Sequence, residues 1–196
     1  MLNKWKIRIM FLVLGSSLMG IGVVLSTTTA LGADTVALLW DGMHQKFHIS
    51  LGISNYIFTG FFLLLVLLFD RKQIGIGTIA APLIQGIVMD FIIRFVPIFE
   101  GIVIRVIIMT LGIVILAIGS GISAAADIGK SPYVGFTFAM NKKYNWSLSI
   151  FRVILDLCCL IIGIVLGANL SVGPFVSVFL MGPITEISCR KIKSYI

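Results

Sequence analysis

Hydrophobic residues run along this chain in six long stretches that short polar segments separate. Each stretch approaches the roughly 20 apolar residues that a helix needs to cross a bilayer. The six predicted transmembrane helices lie at residues 8–30, 50–69, 77–97, 103–124, 147–167 and 172–190. The pattern therefore predicts an all-α, polytopic membrane protein in which residues 1–196 form one membrane domain.

The pattern of the first half recurs in the second half. Arg8, Gly15, Gly22 and Ser26 are followed 97 positions later by Arg105, Gly112, Gly119 and Ser123. After residue 72 the spacing is 96, and Gly77, Gly86, Asp90 and Arg94 match Gly173, Gly182, Glu186 and Arg190. Such self-similarity indicates an internal repeat. Residues 1–98 form repeat one and residues 99–196 form repeat two.

Three predicted spans in each repeat is an odd number, so the two repeats must enter the membrane from opposite sides. We therefore expect inverted repeats related by a pseudo-two-fold axis in the membrane plane, as in many secondary transporters. Each repeat also has a shorter apolar segment after its first span, at 34–43 and 131–140. These segments are too short to cross. Each is either a re-entrant half-helix or an interfacial helix, which Trp40 would anchor in the first copy.

Composition and charge agree with a membrane protein. The chain is 59% hydrophobic and only 12% charged, whereas soluble domains have about 25% charged residues. The net charge of +7 is distributed unevenly, because only Lys46, Arg94 and Arg105 lie outside one set of loops and termini. By the positive-inside rule, both termini are expected in the cytoplasm of a bacterial cell. This placement indicates contact with a lipid bilayer and no nucleic-acid partner.

Two acidic residues near the ends of predicted spans are the first candidates for chemistry. Asp90 and Glu186 each precede an arginine by four positions, Arg94 and Arg190, which places acid and base on one helix face. Charges inside a membrane are costly and usually face the protein interior. Arg105 and Arg8 begin spans four and one on the corresponding sides. The resulting ionic clusters are either outer and inner gates or side chains that snorkel to fix helix orientation.

Arg152 and Asp156 form another such pair within span five. Their counterparts in span two are the neutral residues Asn55 and Thr59, so the repeat loses its symmetry here. Asp156 is also the carboxylate nearest the middle of a span. We expect this pair either to handle a substrate or a proton, or to be a plain intrahelical ion pair.

No catalytic triad, metal-binding cluster or nucleotide-binding motif stands out, so we expect no enzyme activity, cofactor or metal. The favoured function is transport of a small molecule of unknown identity, with a homodimer as a further expectation. One alternative is an accessory protein that assists assembly or export of another product. Another is the substrate-binding subunit of an energy-coupled vitamin importer.

Glycine and proline positions carry a family resemblance over nearly the whole chain. The first half has Gly32, Trp40 to Met43, and the run Arg71-Lys72-Gln73-Ile74-Gly75-Ile76-Gly77-Thr78. The second half has Ile128-Gly129-Lys130-Ser131-Pro132-Tyr133 and Val172-Gly173-Pro174. With these motifs the chain resembles the YczE/YyaS/YitT-like bacterial membrane proteins. The resemblance implies a polytopic bacterial membrane protein and supplies no substrate.

Overall fold

The computed structural model describes residues 2–71, 74–129, 131–145, 148–169 and 171–195, and within them all side chains except those of Leu2, Asn3, Leu148, Ser149 and Arg152. These ranges contain eight α-helices and no strand. The helices are α1 (Leu2–Thr27), α2 (Thr35–Phe47), α3 (Leu51–Phe69), α4 (Ile76–Ile92), α5 (Ile102–Ala125), α6 (Pro132–Tyr144), α7 (Leu148–Val165) and α8 (Gly173–Lys193).

Three of these helices are long and apolar enough to cross a membrane, namely Lys4–Thr27, Leu51–Phe69 and Ile102–Ala125. Ile76–Ile92 and Val153–Val165 are shorter apolar helices. Together they give the protein the character of a helical membrane protein.

Six helices lie where the hydrophobic stretches were predicted, with shifts at their ends. The largest shifts are at the start of α1, which begins at Leu2 and not at residue 8, and at the end of α4, which ends at Ile92 and not at residue 97. Turns follow at residues 93–95, and Val96 then leaves helical geometry, because the residue before a proline, here Pro97, is driven out of it. The first helix also ends early, at Thr27, and Ala30 then adopts a left-handed conformation with φ of 55°.

The two short helices are packed inside the protein. In α2 the buried residues include Leu38, Trp40 and Gly42. A Cβ added at Gly42 would lie 2.5 Å from the carbonyl oxygen of Gly163, which shows that α2 lies directly against α7. Trp40 is only 6% exposed, and its ring lies edge-on to Phe58 at 6.1 Å. The interpretation of Trp40 as a surface anchor of an interfacial helix is therefore wrong.

Most of the pairs of helices that pack together are equivalent in the two halves; the packing of α3 on α4 is the exception. The first helices of the halves, α1 and α5, cross at the centre. Helix α4 packs on α1, as α8 packs on α5. The short helix of each half packs on the other half, α2 on α7 and α6 on α3. Each half therefore buries part of the surface of its helices against the other half.

Backbone details repeat as well. Non-glycine residues with positive φ occur at the equivalent pairs Ala30/Asp127 and His48/Asn145, and glycines with positive φ at Gly32/Gly129. The Gly77 amide donates to the Ile128 carbonyl at 2.8 Å, and the equivalent Gly173 amide donates to Leu31 at the same distance. The loop that follows the first helix of each half is thus bonded to the start of the last helix of the other half.

The central crossing of α1 and α5 depends on glycine. A Cβ at Gly22 would lie 2.5 Å from the Leu116 amide nitrogen and 2.6 Å from the Gly112 carbonyl oxygen. Small residues allow transmembrane helices to approach this closely. The Ser26 hydroxyl also donates across the crossing to the Met109 carbonyl, at 3.3 Å.

Candidate functional site

One carboxylate in the middle of α7 joins the two short helices. The Tyr133 hydroxyl, on α6, donates to Asp156 Oδ1 at 2.7 Å. The Thr35 hydroxyl, on α2, donates to the same oxygen at 3.1 Å. Asp156 lies near the midpoint of the 18-residue helix α7. The short helices of both halves therefore begin beside one half-buried acidic residue.

Local sequence explains why both short helices begin at this point. The Asp34 side chain accepts from the Ala37 amide at 2.8 Å and caps α2, so Thr35 becomes its first residue. Pro132 is the first residue of α6, where its missing N–H costs nothing and its fixed φ suits the helix. The N-terminus of a helix carries partial positive charge. Two such ends lie near the Asp156 carboxylate.

Aromatic rings line the side of the site formed by α3, α2 and α6. The Tyr133 ring lies 5.2 Å from Phe62 and 5.9 Å from Phe58, and Phe58 also meets Trp40. The buried Trp40 Nε1 has no hydrogen-bond acceptor among the described residues. An unpaired buried donor costs free energy unless a partner arrives. The site thus combines a carboxylate, hydroxyls, aromatic faces and one unsatisfied N–H.

Asp90 has a different role from the one its sequence spacing indicates. Its carboxylate accepts from the Ser50 hydroxyl at 2.7 Å and from the Gly52 amide at 2.9 Å. Asp90, on α4, therefore caps the start of α3. Arg94 is exposed, and within the described part of the chain it makes no ion pair with Asp90.

Glu186 and Arg190 do form the predicted ion pair, within α8 and on its exposed surface. A pair this exposed is worth little to stability. The ion pairs described for this chain do not join Glu186 to Arg8 or Asp90 to Arg105. Among the described residues the expected ionic clusters are therefore not assembled, because Glu186 is paired within α8 and Asp90 is bonded to the start of α3.

Arg8 and Arg105 occupy equivalent positions and make equivalent contacts. Arg105 Nε donates to the Thr29 carbonyl oxygen at 2.5 Å, just beyond the end of α1. Arg8 Nη1 donates to the Asp127 carbonyl oxygen at 3.5 Å, just beyond the end of α5. A cation near the carbonyl end of a helix is favourable. Each arginine thus joins its half to the other half.

The remaining predicted residues are Arg152 and Asp156, which both belong to α7. The structure places Asp156 at the centre of the site, whereas the Arg152 side chain lies outside the described residues. Sequence reasoning missed Thr35 and Tyr133 as partners of Asp156. The sequence did contain a signal for them, because both residues lie in the first turn of the repeated short helix. Side chains in a first turn point back toward the residues that face the N-terminus of the helix.

The apolar helices and buried polar centre define a helical membrane protein. The chain belongs to the family described as "Family of unknown function (DUF6198)", which it matches over residues 6–190. The chain is 24% identical to "Uncharacterized membrane protein YczE" of Bacillus subtilis over 153 residues, which cover 76% of this chain and 71% of that protein. This confirms the resemblance to YczE-like proteins.

A second relative is an "Uncharacterized protein" of Haemophilus influenzae. It is 19% identical over 178 residues, which cover 91% of this chain and 81% of that protein. No solved structure matches the chain significantly.

Proposed function

We propose that the protein transports a small molecule across the bacterial cell membrane and that Asp156 is the centre of its substrate site. The observation that carries this proposal is the meeting of α2 and α6 at one carboxylate, through Thr35 and Tyr133. Secondary transporters often bind substrate near the bilayer midplane, at the ends of short or broken helices from two repeats.

The repeated architecture supports the same proposal. We infer six spans arranged as two inverted repeats, with α2 and α6 as re-entrant half-helices and both termini in the cytoplasm. The support comes from the equivalent helix pairs of the two halves and from the equivalent bonds of Gly77 and Gly173. In inverted repeats, a site at the interface can be reached from either side by rearranging one repeat against the other.

The groups at the site favour a particular kind of ligand. Asp156 accepts hydrogen bonds and attracts positive charge, while the rings of Tyr133, Phe58 and Trp40 offer flat apolar faces. Aromatic faces bind both apolar groups and cations. Among the described residues the indole N–H of Trp40 has no acceptor, so a ligand that reaches it would supply one. We expect a small, partly apolar molecule that carries a hydrogen-bond donor or a positive group together with an acceptor.

The test begins with binding. The purified protein in detergent is screened by thermal shift against vitamins, amino acids, organic cations and organic anions. A ligand that binds only the folded state raises the melting temperature, and the shift grows with the logarithm of its concentration over its Kd. The hit is then measured with Asp156→Asn and Tyr133→Phe, and with Glu100→Gln as a matched control at an exposed carboxylate. We expect the first two variants to lose the shift and the control to keep it.

Uptake of the same labelled ligand into proteoliposomes completes the test. Uptake that Asp156→Asn abolishes and Glu100→Gln preserves would support the proposal. If the ligand raises the melting temperature of Asp156→Asn as much as that of the wild type, Asp156 is not part of the binding site. Tight binding with no uptake, together with a co-purifying ATPase, would favour the subunit of an energy-coupled importer.

A further inference from the structure

The two halves differ in how their third and fourth helices pack. In the first half, Asn55 Nδ2 donates to the Pro82 carbonyl at 2.9 Å, and the Tyr56 hydroxyl donates to Leu83 at 3.1 Å. The Tyr56 ring lies directly over Gly86, where an added Cβ would collide with it. Helices α3 and α4 are thus closed on each other.

In the second half the equivalent face of α8 is open. Gly182 is the equivalent of Gly86, and a Cβ there would meet no atom within 4 Å. Val153, the equivalent of Tyr56, is 57% exposed, and Phe179, the equivalent of Leu83, is 78% exposed. Across the described ranges, α7 and α8 form no packed interface like that of α3 and α4.

We propose that α7 closes onto this face of α8 in a second conformation, while α3 separates from α4, so that the two halves exchange their arrangements. In this second conformation, α7 itself covers the exposed face of α8. The first half shows that the repeated fold accommodates the closed arrangement. Exchange of the halves leaves the central helix pairs unchanged, since α1 still crosses α5 and each short helix still packs on the other half. Two packings of one sequence can therefore be close in free energy.

The carboxylates at equivalent positions explain which half is closed. Asp90 reaches across to α3 and accepts from Ser50 and the Gly52 amide. Its equivalent, Glu186, contacts Arg190 within its own helix. Asp90 is thus a positioning residue for the closed α3–α4 pair, and weakening it shifts the population toward the exchanged state.

The exchange would also open and close the proposed substrate site. Asp156 is carried by α7, whereas its partners Thr35 and Tyr133 are carried by α2 and α6. Movement of α7 toward α8 draws Asp156 away from one or both hydroxyls. The inference rests on the proposed transport function, which it deepens by naming the moving helices.

Cysteine cross-linking in liposomes tests the exchange without any substrate. In a variant with Cys158, Cys159 and Cys189 replaced by alanine, one cysteine pair replaces Tyr56 and Gly86, and a second replaces Val153 and Gly182. The control pair replaces Leu155 and Gly182, because Leu155 is the equivalent of Phe58, whose ring packs on Trp40 of α2 and on Tyr133 of α6. A short bifunctional thiol reagent is added, and cross-linked protein is measured by intact mass.

We expect the Tyr56/Gly86 pair to react fast, the Val153/Gly182 pair more slowly, and the control pair at background. Adding Asp90→Asn should accelerate the Val153/Gly182 reaction several-fold and slow the Tyr56/Gly86 reaction. A Val153/Gly182 pair that stays at the control rate, with and without Asp90→Asn, would overturn the inference. A Val153/Phe179 cysteine pair repeats the test without changing a glycine.

The outcomes separate the two proposals. Cross-linking of Val153/Gly182 without any ligand that binds would support the helix exchange and count against transport. Ligand uptake without this cross-link would support the proposal of transport and exclude the proposed exchange of α7 and α3.

Discussion

Gly22 offers a quantitative test of the helix crossing at the centre of the protein. In a Gly22→Ala variant the new methyl group would lie 2.5 Å from the Leu116 amide nitrogen and 2.8 Å from its Cα. Both contacts are with backbone atoms, so no side chain can rotate away. Ordinary contact distances return only when α1 and α5 separate by roughly 1 Å, which forfeits a quarter to a half of the dispersion energy along the seam.

The net cost can be set against the intrinsic preference of alanine for helices. Overpacking a well-packed interior typically costs 1–3 kcal/mol, and a rigid backbone contact belongs near the upper value of about 3 kcal/mol. The separation would also lengthen the bond from Ser26 to the Met109 carbonyl, now 3.3 Å, beyond hydrogen-bonding range. Alanine regains about 1 kcal/mol of helix propensity over glycine. We expect a net loss of about 2 kcal/mol.

Gly60→Ala is the matched control. Gly60 also lies within an apolar helix, but a Cβ there would meet no atom within 4 Å. This variant should be neutral or more stable by up to about 1 kcal/mol. Unfolding is followed by far-UV circular dichroism in mixed micelles as SDS is titrated. Equal stability of the two variants would refute the reasoning, because it would mean that α1 and α5 do not approach as closely as described.

Three further predictions concern individual side chains. Trp40→Phe should be nearly neutral, because it keeps the ring contact with Phe58 and removes an unpaired donor; Trp40→Ala should cost about 3–5 kcal/mol, and the same SDS titration compares them. Asp90→Asn should lower the free energy of unfolding by about 1–2 kcal/mol, because two hydrogen bonds lose their charged acceptor, and a loss no greater than that of Glu100→Gln would exclude the cap. Lys142→Gln should cost about 1 kcal/mol, since the Lys142 side chain is 65% exposed although that of its partner Asp70 is only 10% exposed, and a loss that is unchanged at high salt would contradict an ion pair.

The membrane character and helix positions could be predicted from the sequence. Length and apolarity of a segment are local properties, and a bilayer requires that each crossing segment satisfy its own backbone hydrogen bonds. The repeat was also visible, because glycines and charges recur at fixed spacing, and positive φ then appears at equivalent positions such as Gly32 and Gly129. The spacing of Glu186 and Arg190 predicted their contact, because that contact depends only on helix geometry.

The partners of the remaining polar residues were decided by tertiary structure alone. Asp90 caps α3, and Thr35 and Tyr133 meet at Asp156. The repeat places both hydroxyls at the starts of the short helices, but it does not indicate which residue they meet. Which residues meet depends on how each helix is rotated and how deeply it enters the bundle. Those quantities are set by backbone contacts between distant segments, such as the approach of Gly22 to Leu116, and a hydrophobic pattern does not encode them. The sequence alone therefore determined which segments are helices, and the packing of those helices determined which of their polar groups could form a site.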